Sequence, residues 1–372
     1  MGEHQQAQQD RGRSLEAWLA PQLGVPSVTV PDLAKASVGN SNETLLFTAQ
    51  WDGDPPGEER LVVRVQPTGR TLFQRPDAVR EAAVLQHVGR TSAVPVPHVV
   101  GVEPDPSLLG APFFVMRHVQ GRVLADIPSC HAAGWLTELT PQERARHWDE
   151  GLRALVAVSR VPLPGLDALS PPAAGRTALQ QLVVETREWF DWAVGGRDVG
   201  VVGRAMDHVE ATIPAHDDSA LSWGDARVGN LLYAADGAVA AVLDWEMAAL
   251  APAEVDLGWW LATDEFYSTR LGVPPLEGVP DTAATVRRWE ELAGRRAREL
   301  GWYRLLAGLR FCIVLVRARD ANVAKGVLAD DSAMHTHNPM SQQLASLLGE
   351  PEPELAPEFA HLLASYAQER GR

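Results

Sequence analysis

Within a stretch whose apolar spacing is otherwise helical, the chain reads Ser222-Trp223-Gly224-Asp225-Ala226-Arg227-Val228-Gly229-Asn230-Leu231-Leu232-Tyr233. After Asp236-Gly237 it continues through Val239–Leu243 to Asp244-Trp245-Glu246. Two short apolar runs joined by Asp-Gly predict a β-hairpin, because the tight turn needs φ > 0 and Gly adopts it without steric cost. A hairpin folds the chain back on itself. Asp244, ending the second strand, then lies near Asn230 at the start of the first, and Asp225 projects from the loop before them. An Asp-x4-Asn by itself is more readily a pair of side-chain turns. Together with the hairpin and its terminal Asp it supplies what phosphoryl transfer needs: an acceptor for an alcohol proton and hard oxygen ligands that hold Mg²⁺ against phosphates.

The residues upstream have a different period. An entry helix is predicted over 14–23, followed by a strand–turn–strand over 34–50 whose turn is built from Ser37, Gly39, Asn40, Ser41 and Asn42. Leu61–Val65 reads as a buried strand carrying one cation, Arg64. A helix over 80–88 lies between prolines with Glu81 in its first turn, and strands over 96–102 and 112–119 complete a sheet. Downstream, helices are predicted over 141–159, 178–194, 204–212, 286–299 and 302–324. The expectation is an α+β, bilobal fold: a small β-rich N-lobe over residues 1–118 and a mostly helical C-lobe over 119–372, with a hinge at Arg117–Gly121.

On these residues the chain resembles the aminoglycoside phosphotransferase and choline kinase-like family, relatives of the protein kinases. That family's loop reads His-Gly-Asp-x4-Asn and its following strand ends in Asp, often with Trp-Glu after it. Here the corresponding runs are Trp223-Gly224-Asp225-x4-Asn230 and Asp244-Trp245-Glu246. The resemblance covers about residues 30–265 and implies a protein-kinase-like fold with Asp225 as catalytic base and Asn230 and Asp244 as Mg²⁺ ligands. It departs at Trp223, which stands where the family has His. Ser41 and Asn42 fall in a turn similar to the family's phosphate-covering loop, and Arg64 stands where a kinase strand carries Lys for the α- and β-phosphates. Arg there resembles the kinase-like domains fused to some acyl-CoA dehydrogenases. A guanidinium can fork onto both a phosphate and a carboxylate, which makes Glu81 its natural partner. Arg117 to Val119 correspond to the hinge whose backbone reads adenine, and Asp256 matches an acidic position that braces the catalytic loop.

What the resemblance implies is an ATP-dependent kinase, GTP being compatible as well, that acts on the hydroxyl of a small molecule. Acceptor contacts are expected from Glu246, Asp264, Glu265 and Tyr267. The acceptor itself stays open between an aminoglycoside, a hydroxyacyl-CoA-like metabolite and an unspecified hydroxyl compound, and a non-catalytic nucleotide-binding module is the remaining alternative. With 33 Lys and Arg against 48 Asp and Glu, the net charge of −15 disfavours nucleic acid as a partner. Cys130 and Cys312 are far apart and outside any metal-ligand spacing. The polar first residues do not resemble a secretory signal, and the most apolar run, Leu305–Val316, is interrupted by Arg310 and is too short for a membrane span. Cytoplasmic location is the expectation.

Overall fold

The structure is a computed structural model that describes residues 2–35, 43–52, 56–169, 171–216, 218–361 and 363. The chain divides into two compact units, residues 1–71 with 75–120, and residues 72–74 with 121–372.

The first unit contains α1 (Gly2–Leu23), β1 (Leu33–Lys35), β2 (Glu43–Trp51), β3 (Gly57–Val65), α2 (Ala78–Thr91), β4 (Val99–Glu103) and β5 (Phe113–Arg117). The strands form one antiparallel sheet in the order β1-β2-β3-β5-β4. Successive side chains along a strand point to opposite faces. In β3, Leu61, Val63 and Val65 therefore share one buried face with Leu45 and Phe47 of β2 and Phe113 and Val115 of β5, covered by Leu15 and Leu19 of α1. Arg64 points to the other side and meets Glu81 of α2, whose first turn is capped by the Asp77 carboxylate accepting from the Arg80 N–H at 2.8 Å. The entry helix is longer than predicted because Gly2–Arg13 is rich in helix formers without an apolar stripe, which periodicity does not detect.

The second unit contains α3 (Pro141–Val158), α4 (Ala178–Val194), α5 (Val201–Ala211), β6 (Ala220–Ser222), β7 (Leu231–Tyr233), β8 (Val239–Val242), β9 (Ala249–Ala251), α6 (Glu254–Tyr267), α7 (Thr282–Ala293), α8 (Leu300–Ala324) and α9 (Pro339–Leu348). The predicted hairpin is β7–β8, and β6 pairs with β9 alongside it. The helix predicted over 286–299 lies instead over 282–293. Its start is capped by Asp281, which accepts from the Ala284 N–H at 2.7 Å, and Gly294, at φ 73°, closes it. Upstream Leu72–Gln74 joins this unit: the Trp189 indole donates to the Leu72 carbonyl at 3.0 Å, and Phe73 stacks on Trp189 with ring centroids 5.3 Å apart. Among the described residues no helix is long and apolar enough to cross a membrane.

Candidate active site

The loop between β6 and β7 is shaped by what it cannot avoid. Gly224 has φ 91°, and a Cβ there would lie 2.1 Å from the Met247 carbonyl oxygen, so only Gly fits. Beneath it Asp256, near the start of α6 and 1% exposed, accepts from the Ser222 hydroxyl at 2.7 Å and from the N–H groups of Trp223 and Gly224 at 2.8 and 3.0 Å. Burial raises the Asp256 pKa, while those donors and the Arg310 cation pull against it. Arg310 lies in the interior of α8 over the Trp259 ring, and burial pushes it down to about 10, so it is still charged at neutral pH.

Trp223, fully buried, donates its indole N–H to the carbonyls of Leu243 and Asp244 at 2.8 and 3.2 Å. The residue that departs from the family pattern thus ties the loop to the strand end that carries Asp244. Asp244 sits at φ 64°, a conformation costly for a non-Gly residue, which requires support from its surroundings. A 3₁₀ turn over Val228–Asn230 delivers Asn230, whose carbonyl accepts from the Leu243 N–H at 2.9 Å and sets Asn230 beside the strand end.

Three donors converge on the Asp225 carboxylate: Arg227 Nε at 3.1 and 3.2 Å to its two oxygens, Trp259 Nε1 at 2.7 Å and Asn230 Nδ2 at 2.6 Å. Arg227 Nη1 also donates to Asp126 at 2.5 Å. Attraction by Asp225 and Asp126 holds the Arg227 pKa above its ordinary value despite burial. Burial raises Asp126, against the attraction of Arg227.

The carboxylate, amide and second carboxylate in this order, on a hairpin braced from α6, are accompanied by a sequence match to the model of the phosphotransferase enzyme family over residues 32–294. The chain belongs to that family. Like this chain are acyl-CoA dehydrogenase family member 11 of Homo sapiens, 25% identical over 85% of this chain and 39% of its own length, and of Gallus gallus, 28% identical over 86% and 40%. The probable acyl-CoA dehydrogenase IBR3 of Arabidopsis thaliana is 26% identical over 59% of this chain and 26% of its own length. The chain thus spans about a quarter to two fifths of these relatives. Among solved structures, a candidate aminoglycoside phosphotransferase of Ralstonia eutropha superposes with a TM-score of 0.64 at 20% identity, covering 96% of this chain and 98% of that one. Macrolide 2′-phosphotransferase MphH of Brachybacterium faecium gives 0.52 at 16%, covering 91% and 99%. Aminoglycoside phosphotransferase APH(4)-Ia, crystallised as a thermostable mutant with ADP and hygromycin B, gives 0.53 at 18%, covering 84% and 95%. The phosphotransferase fold of this chain is accordingly the α+β, protein-kinase-like one, a sheet-rich N-terminal part and a mostly helical C-terminal part.

Of the residues singled out in the sequence, Asp225 and Asn230 meet directly, Asp244 adjoins them through the backbone, and Arg64 pairs with Glu81 at 3.1 Å in the first unit. Arg117 closes β5, 54% exposed, and pairs with Glu59 at 2.7 Å; Val119 follows it, partly buried. Ser41 and Asn42 lie outside the described residues. Asp264 and Tyr267 line a cavity of about 20 Å³ together with Asp126, His131, Arg227 and Trp260. There Asp264 Oδ1 is buried with no hydrogen-bond donor among the described residues, 3.6 Å from His131 Nε2, and burial raises the Tyr267 phenol. Glu265 faces elsewhere, paired with Arg270 at 3.0 Å and Arg304 at 2.5 Å. The helical period turns it away from the side of α6 that lines the cavity. Glu246 is partly buried in the turn after Asp244. Sequence reasoning missed Arg227, Asp126 and the role of Trp259. Arg227 stood inside the Asp-x4-Asn spacer and was the one signal within reach.

Proposed function

We propose that this phosphotransferase moves the γ-phosphoryl group of ATP to the hydroxyl of a small molecule. Asp225 takes the hydroxyl proton as the oxygen bonds to phosphorus and the bond to the β-phosphate oxygen breaks, releasing ADP. The observation that carries this reading is the Asp225 carboxylate held by three donors, with the Asn230 amide nitrogen engaged on it at 2.6 Å. That bond leaves the side-chain oxygen Oδ1 as the other end of the Asn230 amide. Paired with the Asp244 carboxylate it is the hard, two-residue oxygen set that suits Mg²⁺, an ion that completes its shell with water and substrate phosphates. Mg²⁺, when bound, would neutralise charge on the phosphates. In the first unit the Arg64–Glu81 pair supplies a fixed cation for a phosphate oxygen, and Ser41, Asn42, Arg117 and Val119 are assigned to the remainder of the nucleotide. Asp264 and Tyr267 are assigned to the acceptor. Kinship with acyl-CoA dehydrogenase proteins favours a hydroxyacyl-type acceptor, and the net charge of −15 favours a cationic amino-alcohol such as an aminoglycoside.

Two variants test the reading. With an acceptor found by screening amino-sugars, choline-like alcohols and hydroxyacyl-CoA compounds, Asp225→Asn should bind Mg·ATP normally by calorimetry and lose roughly 10²–10⁴ in turnover. Asp244→Ala should lose both binding and turnover. Saturating Mg·ATP at 100 times its dissociation constant should stabilise the parent by about 2.7 kcal/mol. Thermal unfolding unmoved by millimolar Mg·ATP and Mg·GTP, or parental turnover in Asp225→Asn, would overturn it.

A further inference from the structure

We infer that Arg227 is a positioning residue for Asp225 and that Asp126, from a segment about 100 positions upstream, is the anchor that holds it: a carboxylate–guanidinium–carboxylate clamp. This inference rests on the proposed role of Asp225. A carboxylate offers about four acceptor positions. Trp259 Nε1 engages one oxygen of Asp225 at 2.7 Å, Asn230 Nδ2 the other at 2.6 Å, and Arg227 Nε bridges both at 3.1 and 3.2 Å. One N–H thus engages each oxygen and a third is shared between the two, and these donors set the direction from which a hydroxyl can approach.

Arg227 can bridge in this way only if its own plane is fixed, and Asp126 fixes it through Nη1 at 2.5 Å. The segment bearing Asp126 is itself tied down on both sides. Arg122 and Tyr233 exchange backbone hydrogen bonds at 2.9 Å, and the Ser129 hydroxyl donates to the Tyr267 carbonyl at 2.5 Å. An independent feature of the loop points the same way. A Cβ on Gly229 would lie 2.5 Å from Arg227 Nη1 and 2.6 Å from Asp126 Oδ1, so the absence of a side chain at 229 is what leaves the Arg227–Asp126 contact its space. Without the cation, two carboxylates would face one another and push Asp225 off its aim, and a misplacement on the order of 1 Å at a reacting group costs about 10²-fold. Lys carries the charge but cannot bridge two oxygens and reach a third at once.

The test compares parent, Arg227→Ala, Arg227→Lys, Asp126→Asn and the double variant Asp126→Asn/Arg227→Ala in Mg·ATP turnover with water as acceptor, with KM for Mg·ATP measured alongside. Expected are a fall of about 10²-fold in kcat for Arg227→Ala at unchanged KM, partial recovery in Arg227→Lys, and a double variant no slower than Arg227→Ala, since the two act as one unit. Parental kcat in Arg227→Ala, or losses that multiply in the double variant, overturns the clamp. A parent that neither binds nor turns over Mg·ATP defeats the phosphotransfer reading instead. The clamp is then decided by ¹⁵N NMR, in which the Arg227 Nε–H should exchange slowly in the parent and rapidly in Asp126→Ala. Slow exchange persisting in that variant overturns it.

Discussion

Replacing Trp223 by Phe keeps an aromatic ring in the core of the second unit and removes a single N–H. That N–H is fully buried and shared between the carbonyls of Leu243 and Asp244 at 2.8 and 3.2 Å. Stranding a buried hydrogen-bond partner costs about 1–3 kcal/mol. The lost ring leaves a void worth about 1 kcal/mol more at ~24 cal/mol per Å³. The sum, about 2–4 kcal/mol, is a large part of the ~5–15 kcal/mol that holds a domain together. The damage is also directed: Asp244 sits at φ 64°, and its carbonyl is one of the two released. Mg·ATP turnover should therefore fall further than the folded fraction does, because the strained backbone at Asp244, the proposed metal ligand, can relax while the rest stays folded. Trp223→His restores the family's usual residue and one ring donor on a shorter arm, and should fall between parent and Phe. Urea unfolding followed by far-UV circular dichroism, with turnover at a concentration of urea where all three are folded, measures both effects. A Trp223→Phe midpoint within about 0.5 kcal/mol of the parent, with turnover intact, would show that the indole N–H does not hold the loop.

Two further outcomes concern carboxylates held by hydrogen-bond donors. Asp256→Asn places an NH₂ where two backbone N–H groups and a hydroxyl donate, and should destabilise by about 3–5 kcal/mol in chemical unfolding; a change under about 1 kcal/mol would refute the brace. Burial alone would raise Asp320, yet hydrogen bonds from Arg197 at 2.8 and 2.9 Å, with Arg317 and Arg319 nearby, bring its pKa below the ordinary value. A depressed carboxylate stabilises above its unfolded pKa of about 3.9 and ceases to as pH falls through its folded value. The stability gap between parent and Asp320→Asn, about 1.5–3 kcal/mol at pH 7, should therefore narrow below about pH 4, and a gap constant from pH 7 to pH 3 would contradict the assignment.

The meeting of Asp225 with Asn230 is legible in the sequence because both stand in one loop and a hairpin turn has a local signature. The Arg64–Glu81 pair is legible because strand alternation puts the cation on the face opposite Val63 and Val65. Asp126 is not, since nothing in residues 122–129 announces that Arg227 will reach them across the fold. Trp259 reads as core by its helical spacing, and it is buried as core, but its indole N–H is also a ligand of Asp225. The β6–β9 pairing rests on three residues per strand, too few to show a period, and Ala220 and Ala249 carry no strand signal of their own. The length of α1 is hidden for the opposite reason: Gly2–Arg13 has helix propensity but no stripe.

Residues 72–74 give the chain an unusual itinerary. It leaves the first unit at Thr71, contributes Phe73 and the Leu72 carbonyl to the second, returns at Arg75 and crosses again at Gln120. No single cut can therefore separate the units, and a fragment beginning at Gly121 would lack the ring that stacks on Trp189. During synthesis Phe73 emerges 116 residues before Trp189 (189 − 73), which at ~5–20 residues per second is a delay of about 6–23 s. For that interval the sheet of the first unit can be complete while the short excursion hanging from it still lacks the Trp189 side chain it packs on. It is a small apolar segment on which a ribosome-associated chaperone would have time to act.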